Sequence, residues 1–336
     1  MPSTLTGARP PAPDPDAERL LPEVYALLAG VLSLPDVDGD YTRALRTVLD
    51  AAQASEQAGF PLTLLPLLTC QAAGGDPRQA LPVAAAWRAL HIAARLLDDV
   101  EDGDIARMSA APTDPPRVIN LATGFITAAG LALARLAVDG DGRLWHTLHH
   151  DFSRTVLQMA GGQHADLSQR NTLDLDGYCQ IVAAKSGGCF ALAARAGARC
   201  ATQDPAQIAR FDRFGYNVGI LIQIADDLYG FRRPAGQGDL AAGQRTLPVL
   251  YALTVASPPE RARLERLLAR AAADAKAGAE AEARQLIAAL GAVAYLLAEM
   301  ARYRRRALAV LEPGSKAGPA CKPLRDWLAH LQPPAR

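Results

Sequence analysis

The residues best suited to chemistry in this 336-residue chain are its crowded acids. ARLLDDVEDGD, residues 94–104, places five carboxylates in seven positions directly after two leucines. Asp98 and Asp102 are four apart, so a helix puts them one turn apart on one face, with Asp99 beside them. Gly103 is a natural helix end. Acids in a last helical turn face the negative end of the helix dipole, so the arrangement calls for a cation. A second apolar segment, NVGILIQIADDLYG, ends in Asp226 and Asp227 and is closed by Gly230. Two apolar helices ending in paired carboxylates offer hard oxygen donors, which suit Mg²⁺ completed by waters and substrate phosphates. A solvated acidic helix end is the plain alternative for either cluster alone, and the recurrence favours the metal reading. The candidate ligands are Asp98, Asp99, Asp102, Asp226 and Asp227, while Glu101 and Asp104 are read as solvated. No zinc-type His/Cys spacing competes; His146, His149 and His150 are read as surface residues.

The segments that must position these acids read as helices. Apolar residues recur at three and four in AERLLPEVYALLAGVL, DYTRALRTVLDAAQ and VAAAWRALHIAARLL, and the long Ala- and Leu-rich stretches that follow continue the pattern. Alternating β-branched runs are absent and the breaks are short, so the expected fold is all-α: one large helical bundle over residues 18–336 behind a disordered Pro-rich tail, 1–17. Half the residues are apolar and only 5% aromatic, with Trp87, Trp145 and Trp327 expected in packing roles. Basic and acidic residues number 35 each, which gives no bulk attraction to nucleic acid or an anionic membrane. Five scattered cysteines suit buried thiols in a reducing compartment. No uninterrupted apolar run reaches the roughly 18 residues of a membrane span, and the tail lacks the apolar core of a signal peptide. The expected location is cytoplasmic. Gly187 and Gly188 interrupt a helical pattern and are expected to admit a close helix or substrate.

On these motifs the chain resembles the trans-isoprenyl diphosphate synthase, or polyprenyl synthetase, family over most of its length. DDVED, Asp98 to Asp102, is similar to the first DDxxD motif of that family. His91 and Arg107 fall where the family has a histidine and the first of two arginines. GGQHADL is similar to GQxxDL through Gly162, Gln163, Asp166 and Leu167, and AAKSGGCFALAARAGA resembles the KT helix with Lys185 and Ser186 in the KT positions. GILIQIADD resembles QIxDDxxD through Gln223, Asp226 and Asp227, and GDLAAGQRTLPVLYAL resembles DLxxGKxTLPxxxAL. The resemblance implies an isoprenoid-synthase bundle with a central cavity and Mg²⁺, three ions in the family pattern, on the five aspartates. It also implies an allylic prenyl diphosphate substrate, with Asp98, Asp102, Asp226, Arg107 and Lys185 as the catalytic set and His91, Gln163 and Gln223 as substrate contacts. The implied assembly is a homodimer, with a heterodimer alongside an active synthase as the alternative.

The departures bear on the reaction. The family's GKRxRP stretch, which holds the homoallylic diphosphate, is AGFPLT here, residues 58–63, and no Lys or Arg lies between Arg46 and Arg78. Met108 replaces the second arginine, Gly230 the last aspartate of the second motif, and Gln244 the lysine of GKxT, with Arg245 beside it as a substitute. Each lost charge-assisted contact is worth roughly 1.5–3 kcal/mol, and one neutral imidazole does not balance a diphosphate. Phe60, Pro61, Leu62, Leu64 and Met108 are therefore read as an apolar pocket, with Phe60 and Met108 as substrate contacts. Ala93 and Ala94, just ahead of Asp98, either open the cavity to C15–C20 or longer chains or are close-packing contacts. Arg95 either contacts diphosphate or points outward. The expected function is Mg²⁺-dependent ionisation of an allylic diphosphate, followed by cyclisation, elimination or transfer to a non-isopentenyl acceptor. The alternatives are a chain-elongating synthase with a rebuilt isopentenyl diphosphate site and a catalytically inactive partner subunit.

Overall fold

The computed structural model describes residues 15–103, 114–139, 142–169, 174–234, 236–273, 278–312 and 319–331. Asp104, Arg107 and Met108 lie outside them. Every regular element among the described residues is helical, as expected of an all-α protein. In chain order the α-helices are α1 (Pro15–Glu18), α2 (Leu21–Val31), α3 (Gly39–Ala58), α4 (Leu64–Ala72), α5 (Leu81–Glu101), α6 (Pro115–Asp139), α7 (Gly142–Gln169), α8 (Leu175–Val182), α9 (Gly188–Arg199), α10 (Pro205–Arg232), α11 (Leu247–Val255), α12 (Pro258–Ala273), α13 (Ala279–Ala289), α14 (Ala292–Val310) and α15 (Lys322–His330), with short 3₁₀ turns at Pro77–Ala80 and Pro319–Cys321. A π-helical turn, Ala183–Gly187, joins α8 to α9.

The chain divides into two compact units, each built from separate stretches. Unit 1 comprises residues through Val156, Cys189–Gly215 and Leu308 onward; unit 2 comprises Leu157–Gly188 and Tyr216–Ala307. In unit 1, α5 is buried along most of its length and packs against α6 and α2. Its apolar residues are not confined to one stripe: Val83, Trp87, Leu90, Ile92 and Leu96 are all buried. Such an all-round apolar helix is a core helix, and each fully buried Val, Leu or Ile contributes about 1.5–3 kcal/mol. In unit 2, α11, α12 and α13 close over a core of Phe231, Leu240, Val249, Leu264, Leu267 and Ile287.

Two helical stretches, Pro77–Glu101 and Pro115–Val138, are long and apolar enough to cross a membrane by length and composition. This corrects the expectation drawn from uninterrupted runs, because isolated charges such as Arg88 and Arg95 break a run without lowering its mean hydropathy below that of a span. In Pro77–Glu101, 67% of the apolar window is buried inside the protein, which accounts for its composition. Along α6 only 39% is buried, and Ile119, Ile126, Leu131 and Val138 are exposed. Of the cysteines, Cys70, Cys189 and Cys321 are buried, Cys200 is half-buried and Cys179 is exposed.

Candidate active site

In unit 1 the first acidic motif forms the end of α5. Asp98, Asp99, Glu101 and Asp102 are all half-buried. The Asp102 N–H donates to the Asp98 carbonyl at 2.9 Å, and Gly103, at φ +74°, ends the helix in the left-handed conformation that glycine tolerates.

Upstream, α5 carries a buried charge. Arg88 is 5% exposed. Its guanidinium lies 3.6 Å from Glu56 and donates to the Ala52 carbonyl at 3.0 Å and to Nδ1 of His91 at 3.1 Å. Glu56, also buried, accepts from the Tyr25 hydroxyl at 2.8 Å and from the Thr63 N–H at 3.0 Å. Arginine is only a donor, so Nδ1 of His91 is the acceptor and the ring proton resides on Nε2. Burial, and then the charges of Arg88 and Arg95, hold His91 well below its ordinary 6.5, so the ring is neutral. It stacks on Trp87 with centroids 5.0 Å apart and planes 8° from parallel, while the Trp87 indole N–H donates to the Cys189 carbonyl.

The segment 58–63 does not form the expected pocket. Phe60 is 2% exposed and packs on Trp327 with centroids 4.9 Å apart, and the Trp327 indole N–H donates to the Pro61 carbonyl at 3.1 Å. Leu62 and Leu64 are buried as well. The apolar side chains that replace basic ones are thus taken up by packing beneath α15, which corrects the reading of Phe60 as a substrate contact. Ala93 is likewise wholly buried, and of the alanine pair only Ala94 retains exposed surface.

In unit 2 the second acidic motif ends α10, and its two aspartates differ. Asp226 is half-buried, whereas Asp227 is 2% exposed. One Asp227 oxygen accepts from Gln223 Nε2 at 2.9 Å; the other accepts from the Tyr178 hydroxyl and from the Leu247 N–H at 2.9 Å. Burial raises the Asp227 carboxyl above its ordinary value, while these three donors pull it back down. Burial, and then Asp227, keep the Tyr178 phenol protonated and donating. Asp227 is therefore an anchor that ties α8 and the start of α11 to α10, which corrects its reading as a metal ligand. Gln223 is a strut: its Oε1 accepts from Ser186 Oγ at 2.6 Å while its amide group donates to Asp227.

Ser186 and Lys185 lie in the π-helical turn, a distortion of helix geometry that recurs at functional positions. Lys185 Nζ is 3.1 Å from Asp166 of α7. The turn sits tight on α10, because a Cβ on Gly219 would lie 2.3 Å from the Ser186 carbonyl oxygen and one on Gly187 would lie 2.8 Å from the Tyr216 ring. The glycines admit a helix. Gln163 Oε1 is a buried acceptor without a partner among the described residues. Arg245, half-buried, directly precedes the cap of α11.

The donors fit Mg²⁺. They are carboxylate and amide oxygens, and Asp98, Asp99, Asp102 and Asp226 all keep exposed surface. Among the described residues no three His, Cys, Asp or Glu side chains converge to enclose an ion alone. Mg²⁺ needs only one or two carboxylates when waters and phosphates complete its shell. Cavities of about 460 Å³ in unit 1, beside Arg78 and Arg135, and about 120 Å³ in unit 2, beside Gly162 and Gln180, include none of these acids. Glu56, Arg88 and Tyr178 were not among the residues expected at the site. An arginine inside AAAWRALHIAARLL signals a buried partner, whereas nothing local in the sequence marks Tyr178.

The model of the polyprenyl synthetase family matches residues 62–286, which span both acidic motifs. The protein belongs to the polyprenyl synthetase family. It is 29% identical to the short chain isoprenyl diphosphate synthase of Methanothermobacter thermautotrophicus over 217 residues, which are 61% of this chain and 66% of that protein. The tryptophan prenyltransferase ComQ of Bacillus spizizenii is 27% identical over 179 residues, 53% of this chain and 60% of that one. The matched stretches thus span less than two thirds of either relative. The structure of a polyprenyl synthase from Caulobacter crescentus, complexed with calcium and isoprenyl diphosphate, superposes with a TM-score of 0.77 at 25% identity, covering 94% of this chain and 96% of that one. These relatives are named for prenyl synthesis and prenyl transfer.

Proposed function

We propose that the protein is a Mg²⁺-dependent prenyltransferase that elongates an allylic prenyl diphosphate with isopentenyl diphosphate. The observation that carries this reading is the family match across two helix ends that each keep partly exposed aspartates, with Lys185 held on a π-helical turn beside the second. Asp98, Asp102 and Asp226 would hold Mg²⁺, which when bound neutralises the departing diphosphate. Lys185 is poised by Asp166 to place its ammonium against the same leaving group, stabilising by fixed charge the negative charge that grows as the C1–O bond breaks. The electron pair leaves with diphosphate, the acceptor's double bond attacks C1, and loss of a proton from the acceptor completes the transfer. His91, neutral and with its proton on Nε2, serves as a hydrogen-bond donor rather than as a cation or base. Ala94 is the remaining candidate for shaping chain length. The exposed apolar residues of α6 suit a second copy of the chain, so the assembly proposed is a homodimer.

One observation favours a second reading of the acceptor. Residues 59–63 are uncharged and buried, and the buried guanidinium of Arg88 is neutralised by Glu56. An uncharged acceptor would suit such surroundings, as the name of the tryptophan prenyltransferase relative illustrates. The two readings separate in one assay. Purified protein is incubated with Mg²⁺ and geranyl, farnesyl or geranylgeranyl diphosphate, with and without isopentenyl diphosphate, while pyrophosphate and prenyl products are followed. Elongation requires pyrophosphate release that depends on isopentenyl diphosphate and yields a longer diphosphate. Release that ignores isopentenyl diphosphate overturns elongation, and no release under any pairing overturns both readings.

A further inference from the structure

The polar residues of α5 fall on one face. Arg88, His91, Arg95, Asp98 and Asp102 follow one another at intervals of three and four, so each stands about one turn beyond the last. The His91 ring is fixed on three sides. Trp87 stacks on it, the Phe190 ring meets it edge-on with centroids 6.0 Å apart, and Arg88 donates to its Nδ1. Among the described residues the Nε2–H has no partner, and the ring is half-buried, so this donor is held ready for a ligand. Arg88 is engaged by Glu56 and the Ala52 carbonyl behind it. Arg95 stands one turn beyond His91 and one turn short of Asp98. It is half-buried and its charge acts on the His91 ring, so its guanidinium is within electrostatic reach of that ring rather than turned away from it.

We propose that Arg95 and His91 together hold the diphosphate of isopentenyl diphosphate, Arg95 by charge and His91 by its Nε2–H, in place of the basic residues absent from 58–63. The proposal rests on the elongation reading of the site and names the side chains that its acceptor needs. A guanidinium offers a phosphate two parallel N–H donors and stays charged throughout, while a neutral imidazole adds one directed donor. One helix then carries the acceptor's anion site and the first acidic motif a turn apart, about 5.4 Å along the axis, so the spacing between the two substrates is set by helix rise.

The test is equilibrium binding of isopentenyl diphosphate to the full-length protein in EDTA, where the aspartates hold no Mg²⁺. Thermal unfolding is the folding control, and steady-state kinetics in Mg²⁺ run beside it. Arg95→Met keeps an apolar stem and removes the charge. It is expected to weaken binding about tenfold to a hundredfold, the scale of one lost charge-assisted contact. The KM for isopentenyl diphosphate should rise by a similar factor, with the KM for the allylic diphosphate within about twofold of wild type. Arg95→Lys is expected to recover most of the affinity, because a point charge remains. His91→Ala, which loses a neutral donor, is expected to weaken binding by about fivefold. Should Arg95→Met not fold, Arg95→Gln carries the test. Wild-type affinity in the uncharged variant, or a KM change confined to the allylic substrate, overturns the inference, and Arg95 then only balances Asp98 and Asp99. Absence of metal-free binding by the wild type overturns it as well. In either case elongation by the wild type leaves the elongation reading standing, whereas a wild type that does not elongate with isopentenyl diphosphate overturns that reading.

Discussion

The end of α5 and the end of α10 carry the same pair of adjacent aspartates and use them differently. On α5, Asp98, Asp99 and Asp102 all remain half-buried on one short stretch that Gly103 ends. On α10 only Asp226 does; Asp227 is enclosed and ties three elements together. The first cluster is a set of partly exposed carboxylates on one short stretch, and the second sets a single partly exposed carboxylate on an internal joint. Adjacent identical residues on a helix point about 100° apart, so when a helix end is half in the core, one of them meets solvent or substrate and the other meets protein.

The strongest way to break this contrast is to remove one carboxylate from each role. Asp98→Ala and Asp226→Ala are each expected to lower kcat about 10³-fold, the scale of losing a principal electrostatic contact to a leaving group, with thermal unfolding nearly unchanged. Steady-state kinetics on the allylic substrate checks this, and near-normal turnover in either variant would remove that residue from the metal set. Asp227→Ala should instead act on stability. It leaves the Tyr178 hydroxyl and the Leu247 N–H buried without an acceptor, at about 1–3 kcal/mol for each group, which urea unfolding would register. If Asp227→Ala unfolds like wild type, the anchor assignment is wrong.

Glu56→Gln should cost about 3 kcal/mol by the same measurement, because it strands the buried charge of Arg88. Replacing both partners, Glu56→Leu with Arg88→Met, should recover part of that loss. The smallest effect is in the pH dependence, where the two units respond with opposite sign. The folded value of His91 is depressed below 6.5, so the folded state disfavours its proton; its contribution is intact above about pH 6.5 and is lost as pH falls toward the folded value. The folded value of Asp227 is raised above 3.8, so its contribution is full below pH 3.8 and is lost as pH rises through the folded value. Each group contributes at most about 1.4 kcal/mol per pH unit. His91→Asn should flatten the first limb and Asp227→Asn the second, as stability curves across pH 3–8 would record.

The helices were legible from apolar spacing alone, since a three-and-four recurrence has one periodic solution, and so was the helix end at Gly103. Part of the candidate site was legible too. Lys185 and Asp166 stand out by motif, and the structure pairs them at 3.1 Å. Phe60 misled, because an apolar residue replacing a basic one reads equally as a pocket wall or as core, and only Trp327, far along the chain, decides between them. Ala93 misled for the same reason. Tyr178 and Glu56 were invisible as site residues because their partners lie 7 to 49 positions away in sequence.

By itself the sequence determined the all-α fold, the two acidic helix ends and the family, since these depend on residue type at spacings within a few helical turns. Tertiary structure decided which aspartate of the second pair is an anchor and which keeps exposed surface, and that Arg88 is neutralised by Glu56. Those outcomes follow from desolvation: a charge drawn into the core must find its partners wherever the packed chain brings them, and local spacing carries no record of that.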